Sequence, residues 1–311
     1  MKVLAFDTSN YTTSVAVFDG NGGKNASRLL DVAQGALGLR QSDALFAHTK
    51  RLPELADRLF CDMDAFVPDA VGASTRPRAV EGSYMPCFLA GQTQAQVISS
   101  ALKIPFYAFS HQQGHIAASV WSAGRMDLLD KPHLAWHLSG GTTELLLVEP
   151  DGISVRATKI GGTTDISAGQ LIDRTGQLLE LPFPSGKAID ALSKEGSATV
   201  KFRVKVPDAS FSLSGVQNKV QEFYARGASK CDTAFYVLHC LTDAIVRATK
   251  NALERFPALE VVFAGGVASN SMLRERCGAE GLPAVFCAPE FSTDNAMGTA
   301  ILTWRAHNAG L

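Results

Sequence analysis

The sequence predicts an α/β fold in which a strand–turn–strand unit opens each of two similar halves. The first unit joins a short buried strand at 3–6 to a second strand at 13–18. The second unit joins strands at 133–138 and 144–148 through a small polar turn. A further strand at 259–264 leads into glycines and then a helix, a pattern that occurs often in nucleotide sites. These observations predict an internally duplicated fold with mixed β-sheets, flanking helices and a nucleotide cleft between two lobes.

The remaining elements follow from periodicity and composition. Apolar residues at helical spacing predict a surface helix at 45–63, and a segment rich in small residues suits a tightly packed helix at 91–102. The longest predicted helix, 234–256, ends before Pro257. Basic and apolar residues alternate at 201–206, which predicts a half-buried strand with a solvated face. The alternative interpretation is a strip, formed by Lys201, Arg203 and Lys205, that contacts RNA phosphates.

Length and composition limit the class of protein. A chain of 311 residues exceeds what one hydrophobic core usually fills, so two lobes are expected. We assign 1–110 with 290–311 to an N-terminal lobe and 111–289 to a C-terminal lobe. The apolar fraction of 46% with 19% charged residues is typical of a globular enzyme. Because the formal net charge is −1, a nucleic acid must be bound by local patches or with a partner protein.

Cysteine spacing and hydropathy exclude several other classes. The 6 cysteines include no C-x-x-C pair, which argues against a structural zinc site and against a disulfide framework. A charge at Lys2 and another at Asp7 come too early for a signal peptide, and no apolar run reaches membrane-spanning length. We therefore expect a cytoplasmic protein without membrane contact.

The most informative local pattern is a pair of histidines, His111 and His115. On a helix, residues four apart lie on the same face, about 5–6 Å between Cβ atoms. Two imidazoles at this spacing can bind one divalent metal together with a third ligand from elsewhere in the chain. Taken alone, the pair is equally well explained as two ordinary histidines on a half-exposed helix.

Several short motifs follow one another along nearly the whole chain. They are 6–9, the 111/115 pair, 139–142, 162–165 with Gly169 and Asp173, 184–186, 211–215, 265–270 and 293–297. In this order they resemble the catalytic subunit of tRNA threonylcarbamoyladenosine synthase, the TsaD/Kae/Qri family formerly called O-sialoglycoprotein endopeptidase. The resemblance implies the two-lobed fold of the actin, sugar-kinase and heat-shock ATPase superfamily. It also implies an acyltransferase acting on tRNA, in company with helper subunits.

The resemblance implies a metal held by His111, His115 and Asp294. Two imidazoles and a carboxylate suit Fe(II), the preferred assignment, or Zn(II), and leave positions for substrate oxygens. The other interpretation of Asp294 is a helix-capping aspartate before a predicted helix at 296–304. Asp7 and Ser9, in the opening hairpin, are the candidate catalytic residues.

For the nucleotide, which is threonylcarbamoyl-AMP, ATP or AMP, the resemblance implies two groups of residues. The loop of Leu138, Ser139, Gly140, Gly141 and Thr142 is expected on the phosphates. Asp173 and Asp190 are expected on ribose hydroxyls, with Gly186 beneath the adenosine and Asn270 beside it. Carboxylates accept hydrogen bonds from sugar hydroxyls, and glycines admit a ligand to the backbone. Considered singly, the two aspartates are equally typical of surface helices.

The chain departs from the family pattern near the expected site. The opening hairpin has Asn10, Tyr11 and Thr12 where the family has a cysteine and two acids, and the metal motif has Gln113 where the family has glutamate. The family's G-P-G segment reads R-P-R at 76–78, and Gln217 replaces a lysine. Because candidate bases are missing and positive charge is added, we interpret the chain as a divergent paralogue with altered activity.

The sequence leaves four candidate functions open. The first is metal-assisted transfer of threonylcarbamoyl from its adenylate to N6 of the tRNA adenosine beside the anticodon. The second is a non-catalytic or altered paralogue that binds nucleotide and a sister subunit, as a homodimer or a heterodimer. A metallopeptidase is disfavoured because H-E-x-x-H is absent. A small-molecule kinase is the fourth, with Asp7 as the candidate catalytic aspartate.

Overall fold

A computed structural model describes residues 1–9, 11–31, 39–61, 63, 65–199 and 202–311. Two of the residues discussed above, Asn10 and Lys201, lie outside these ranges. The chain divides into two compact units. The first comprises Met1–Lys131, Glu149–Ala157 and Asp294–Leu311, and the second comprises Pro132–Val148 and Thr158–Thr293. Within the described ranges, every helix is too short or too polar to cross a membrane.

The first unit contains a five-stranded mixed sheet. Its strands are β1 (Val3–Ser9), β2 (Thr12–Phe18), β3 (Gly23–Leu29), β4 (Ala70–Arg76) and β5 (Phe106–Ser110), in the order β3-β2-β1-β4-β5. The first three strands form an antiparallel meander, whereas β4 and β5 continue in parallel. β1 and β2 are buried along their whole length. Strands that are buried along their whole length belong at the centre of a sheet that is covered on both faces.

Four helices of the first unit complete its layers. They are α1 (Gln41–Phe60), α2 (Leu89–Leu102), α3 (His111–Ser122) and α9 (Met297–Asn308). One core cluster joins α1 to the sheet through Leu52, Leu55 and Leu59, which recur at helical spacing. The chain from β5 enters α3 without a loop, so the end of that strand fixes where the helix begins.

A six-stranded mixed sheet belongs mainly to the second unit, although the tip of one of its hairpins, 149–157, groups with the first unit. Its strands are β6 (His133–Leu138), β7 (Thr143–Asp151), β8 (Ser154–Thr163), β9 (Ser210–Phe211), β10 (Val261–Ala264) and β11 (Ala284–Phe286), in the order β11-β10-β6-β7-β8-β9. β6 and β7 are antiparallel, whereas β10 is parallel to β6 and to β11. The chain therefore leaves β6 and β10 at the same edge of the sheet.

The helices of the second unit are α4 (Ala168–Leu178), α5 (Gly186–Ser193), α6 (Ser214–Ala225), α7 (Lys230–Arg255) and α8 (Ser271–Ala279). The buried face of α7 carries much of the core of this unit, together with Trp136 and Phe211. The indole N–H of Trp136 donates to Thr249 Oγ1 on α7 at 2.9 Å, which satisfies its one buried polar group.

The predicted α/β fold with duplicated mixed sheets is confirmed. Reading β6, β7, β8, β10 and β11 as a second set of five strands reproduces the order of the first sheet, with β9 added at one edge. Both predicted hairpins and the predicted helices are present with shifted ends. The units differ from the expected lobes at three segments, because 111–131 and 149–157 belong to the first unit and 290–293 belong to the second. α3 packs against α9, which explains why it groups with the C-terminal segment.

The predicted strand at 201–206 is wrong for its described part, because residues 202–206 have no strand partner. Their alternation is nevertheless real, since Val204 is buried while Arg203 and Lys205 are exposed. Side chains of α7 take the place of a neighbouring strand. Arg247 donates to the Val204 carbonyl at 2.6 Å, and Asn251 donates to the Val206 carbonyl at 3.3 Å.

Candidate metal centre and nucleotide site

Two histidines occupy the first two turns of α3. Ser110 is the N-cap residue, and its hydroxyl accepts the Gln113 backbone N–H at 3.2 Å. His111 is consequently the first helical residue and His115 lies one turn later, with ring centroids 4.5 Å apart. The predicted placement of both imidazoles on one helix face is therefore confirmed.

Gln113 has a structural task that a glutamate could not perform in full. Its Oε1 accepts the Ser110 backbone N–H at 2.9 Å, which completes a capping box. Its Nε2 donates to the Val155 carbonyl at 3.0 Å. An ionised carboxylate has no hydrogen to donate to that carbonyl. The substitution of glutamine at this position thus fits its surroundings.

Close packing of α3 against α9 brings the third donor to the histidines. A Cβ added to Gly298 would lie 1.7 Å from the Gly114 carbonyl oxygen, so α9 needs glycine at this crossing, and a Cβ on Gly114 would lie 2.9 Å from Thr299 Oγ1. Asp294 lies just before α9. Its Oδ1 is 2.7 Å from His115 Nε2 and 3.5 Å from His111 Nε2. One ligand atom from each of the three residues lies within 4.8 Å of the others.

Asp7 supports the histidine pair from β1. Its side chain is only 1% exposed, and its Oδ2 lies 2.7 Å from His111 Nδ1. Its Oδ1 accepts the Ser9 backbone N–H at 2.9 Å. A carboxylate on Nδ1 fixes the imidazole tautomer that leaves Nε2 directed at a metal. Ser9 is also buried, and its hydroxyl has no hydrogen-bond partner among the described residues.

The electrostatics of the cluster favour a bound cation. Burial opposes protonation of His111, but the charge of Asp7 and the hydrogen bonds with Asp294 and Asp7 raise its pKa from 6.5 to about 10. Burial likewise opposes ionisation of Asp294, yet its hydrogen bonds with the two histidines hold its pKa well below its usual value. The carboxylates thus favour a positive charge at the His111 imidazole, and a divalent metal would replace the proton there.

The donor set fits a divalent transition metal. Two imidazole nitrogens and one carboxylate oxygen form the two-histidine, one-carboxylate set that suits Fe(II), and the same donors bind Zn(II). The Asp7–His111 contact supplies the outer-sphere carboxylate that such ligands usually have.

In the second unit, the predicted phosphate loop is a tight turn between β6 and β7. The Ser139 backbone N–H donates to the Thr142 carbonyl at 2.8 Å, and the Thr142 backbone N–H donates to Ser139 Oγ at 3.0 Å. Gly140 and Gly141 are exposed, whereas Leu138 is fully buried, so only the backbone of Leu138 could face a ligand.

Two neighbouring glycines are required by this turn. A Cβ on Gly169 would lie 2.5 Å from Gly140 Cα. Because glycine has no Cβ, the start of α4 can approach the loop. Gly265 has a φ of 95°, and a Cβ there would lie 2.1 Å from the Leu138 carbonyl oxygen. The loops that follow β6 and β10 are therefore in direct contact, as expected for parallel neighbours.

The expected ribose residues lie around α5. Asp173 Oδ1 accepts the Ser185 backbone N–H at 2.9 Å, immediately before Gly186. Asp190 lies one turn after Gly186, and its Oδ1 accepts from Asn270 Nδ2 at 2.7 Å and from the Ser271 backbone N–H at 2.8 Å. The structure thus brings Asp190 and Asn270 into contact and places Asp173 beside the start of α5.

Sequence reasoning missed the residues that hold these side chains in position. Ser110 and Gln113, like Ser167 and Gln170 at the start of α4, form capping boxes. The pattern S-x-x-Q before an apolar helix is a readable signal for such caps. Ser271, which donates to Asp190 through both its backbone N–H and its hydroxyl, carries no such signal.

Similarity to known proteins identifies the class of protein to which this chain belongs. The family model of tRNA N6-adenosine threonylcarbamoyltransferase, TsaD, matches residues 38–301. The chain belongs to this family. It is 34% identical over 323 residues to a Thermus thermophilus protein of that name, covering 100% of the chain and 94% of the relative. It is 30% identical to a Lactococcus lactis subsp. cremoris protein of that name, covering 89% and 83%.

Solved structures define the fold class, which is that of the actin-like ATPases and kinases. Full-length HypF in a phosphate- and nucleotide-bound form superposes with a TM-score of 0.61 at 12% identity, covering 99% of this chain and 46% of HypF. The chain therefore spans less than half of HypF. The activator of 2-hydroxyisocaproyl-CoA dehydratase from Clostridium difficile, with bound ADPNP, gives 0.56 at 11% identity, covering 100% and 97%.

Proposed function

We propose that this protein transfers the threonylcarbamoyl group from threonylcarbamoyl-AMP to N6 of the adenosine beside a tRNA anticodon. The observation that carries the proposal is the meeting of His111, His115 and Asp294 in a chain of this family. These three donors come from α3 and from the segment just before α9, which are far apart in sequence. Because capping a helix would require only Asp294, the meeting of all three favours a shared cation.

The chain's own residues have distinct tasks in this proposal. His111, His115 and Asp294 hold a divalent metal, which supplies Lewis acidity toward the carbamoyl oxygens. Asp7, expected from the sequence as a catalytic residue, is assigned to orienting His111, because it is 1% exposed and both its oxygens accept hydrogen bonds within the protein. Ser9, with an unpartnered buried hydroxyl among the described residues, is the candidate to bind a substrate oxygen.

In the second unit, the turn at 139–142 binds the phosphate of the adenylate through its exposed glycine backbone. Asp173 and Asp190 each engage one oxygen in the hydrogen bonds described above, which leaves the second oxygen to accept from a ribose hydroxyl. The Oδ2 of Asp190 also lies 3.5 Å from Lys194 Nζ. Gly186 carries no side chain to block the adenosine. Asn270 lies beside the adenosine in this proposal.

In the transfer step, the N6 amine forms a C–N bond to the carbamoyl carbon and the bond from that carbon to the phosphate oxygen breaks. AMP leaves, and the amine proton passes to the leaving phosphate or to water. No protein nucleophile is needed. tRNA, helper subunits, Fe(II) and a cytoplasmic setting belong to this proposal.

The test is a single-turnover assay with synthetic threonylcarbamoyl-AMP, unmodified tRNA and the helper subunits. We expect transfer by the wild type and a loss of at least about 100-fold in Asp294→Ala, because the metal loses its only carboxylate ligand. Asp19→Ala, an exposed turn aspartate, is the control and should retain wild-type transfer. Equal transfer by Asp294→Ala and the wild type would overturn the proposal.

The altered residues around the site support a second candidate, a paralogue that binds nucleotide and a sister subunit without transfer. Tyr11, Thr12 and Gln113 stand where the family has acids, and Gln113 is engaged in the capping box and with Val155. This candidate predicts metal and AMP binding with no transfer even when helper subunits are present. Gln113 is held by the capping box and by Val155, which argues against a role as the base of a peptidase. Asp7 is held by Ser9 and His111, which argues against a role as the catalytic aspartate of a kinase.

A further inference from the structure

The segment at 76–85, here named the arginine loop, is fastened to the start of the metal-binding helix α3. Arg76 ends β4 and is the register partner of Ser110, the residue before His111. The Pro77 carbonyl accepts the Gln112 backbone N–H at 3.0 Å. Beyond the loop, the Phe88 ring lies 6.3 Å from the His111 ring. The start of the arginine loop and the segment that follows the loop therefore adjoin the first metal-binding histidine.

The arginine loop is built as an ordered turn. The Ser83 hydroxyl accepts the Arg78 backbone N–H at 3.0 Å, and the Ser83 backbone N–H donates to the Val80 carbonyl at 3.2 Å. Gly82 has a φ of 74°, a backbone conformation that favours glycine. A turn held in this way presents its side chains in a defined arrangement, so a ligand loses less binding free energy to ordering them.

The exposed side chains of this turn combine positive charge with an aromatic ring. Arg76 and Arg78 are exposed, and Arg76 has no ion-pair partner in the part of the chain that the structure describes. Tyr84 is 62% exposed. Glu81 is the one acid in the arginine loop. Arginine binds phosphate with a planar fork of donors, and tyrosine stacks on unpaired bases.

We propose that the arginine loop binds the single-stranded RNA loop that carries the acceptor adenosine. Arg76 and Arg78 contact its backbone phosphates, and Tyr84 stacks on one of its unpaired bases. The inference rests on the proposed function for the identity of the RNA, and its structural support is the charge, the exposed aromatic ring and the ordered turn of this segment. A chain of net charge −1 needs a local basic surface to attract RNA, and this one adjoins the metal cluster.

The test measures binding of a synthetic anticodon stem-loop RNA to the whole protein by fluorescence anisotropy over a range of salt concentrations. We expect the double variant Arg76→Ala/Arg78→Ala to bind at least about 10-fold more weakly near 0.1 M salt. The negative slope of log K against log salt should become shallower by about 1.4, since each phosphate contact on a single strand contributes about −0.7.

Matched variants separate charge, stacking and folding. Arg28→Ala/Arg58→Ala removes one exposed arginine from β3, an edge strand separated from β4 by two others, and another from α1. It should leave binding and slope unchanged. Tyr84→Ala should weaken binding several-fold without changing the slope, and Tyr84→Phe should restore it. Thermal melts of all variants confirm folding.

Unchanged RNA affinity in the Arg76→Ala/Arg78→Ala variant would overturn the inference, as would an equal loss in the Arg28→Ala/Arg58→Ala control. A loss of AMP affinity with unchanged RNA affinity would assign the arginines to the adenylate instead. The proposed function fails separately, by absence of transfer from a wild type that still binds RNA through the arginine loop.

Discussion

At the scale of single residues, the contact between Asp7 and His111 determines how the candidate metal centre is organised. The two residues are separated by 104 positions, yet Asp7 Oδ2 lies 2.7 Å from His111 Nδ1. The order of the sheet explains the contact. β4 alone separates β1 from β5, and β1 and β5 both end near the start of α3. Such a pairing cannot be predicted from local sequence, whereas the His111 and His115 spacing can.

We expect Asp7→Ala to weaken Zn(II) binding by about 10–100-fold, the usual effect of removing a carboxylate that orients a ligating histidine. Asp7→Asn should recover part of the loss, since an amide oxygen still accepts from Nδ1–H. Competition with a chelating dye measures the affinity. Asp19→Ala is the control, and wild-type affinity in Asp7→Ala would show that this contact does not tune the site.

Gln113 provides a second prediction at this scale. Gln113→Glu places an acceptor against the Val155 carbonyl and should lower the free energy of unfolding by about 1–3 kcal/mol at pH 7. A protonated carboxyl can donate, so the difference should shrink in acid. Urea unfolding of this variant beside Gln112→Glu makes the comparison. Equal stability of Gln113→Glu and the wild type at pH 7 would contradict this explanation of the missing glutamate.

At the scale of elements, the crossing of α3 and α9 links stability to the metal centre. Gly298→Ala should cost about 1–3 kcal/mol of unfolding free energy, because its Cβ would overlap the Gly114 carbonyl. It should also weaken Zn(II) binding, since Asp294 lies just before α9. Gly278→Ala on α8, where a Cβ meets open space, is the matched control and should be neutral or stabilising. A tolerated Gly298→Ala would show that the helices can separate freely.

Asp165, in the motif at 162–165, is hydrogen-bonded to the start of α6. It accepts the backbone N–H groups of Leu213 and Ser214 at 2.8 and 3.2 Å, at the start of α6. Burial opposes its ionisation, but these bonds and the hydroxyls of Ser212 and Ser214 hold its pKa well below the usual value. A carboxyl with a lowered folded pKa contributes stability above its unfolded pKa and loses it in acid.

Asp165→Asn should therefore cost about 1 kcal/mol or less at pH 7, because the side chain is exposed and solvent screens it. The difference from the wild type should shrink as the pH falls below about 4, where the unfolded carboxyl becomes protonated. Urea unfolding at several pH values measures it, with Asp151→Asn as an exposed control. A difference that grows in acid would contradict the assigned cause.

At the scale of the whole molecule, much of the fold could be predicted because the strand–turn–strand unit recurs in the sequence. The periodic elements and both hairpins were predictable from local patterns. The boundary between units was not, because α3 groups with the preceding β5 and with α9, which it contacts, and not with the strands that follow it in sequence. The segment at 202–206 misled prediction for a similar reason, since its carbonyls bond to side chains of α7.

The same distinction applies to the candidate site. The histidine spacing and the glycine-rich turns are local signals, so those residues could be predicted. The bonds from Ser271 and Asn270 to Asp190 depend on tertiary packing of α5 against the start of α8. No single-sequence pattern encodes such a contact, which explains why the roles of the acids were visible only through the family motifs.

The central claim is that His111, His115 and Asp294 bind one cation together. The most direct measurement is the stoichiometry and affinity of Zn(II) binding to metal-free protein, for the wild type, His111→Ala and Asp294→Ala. We predict about one ion per chain in the wild type and loss of that ion in both variants. Zn(II) bound to Asp294→Ala with wild-type stoichiometry and affinity would contradict the claim.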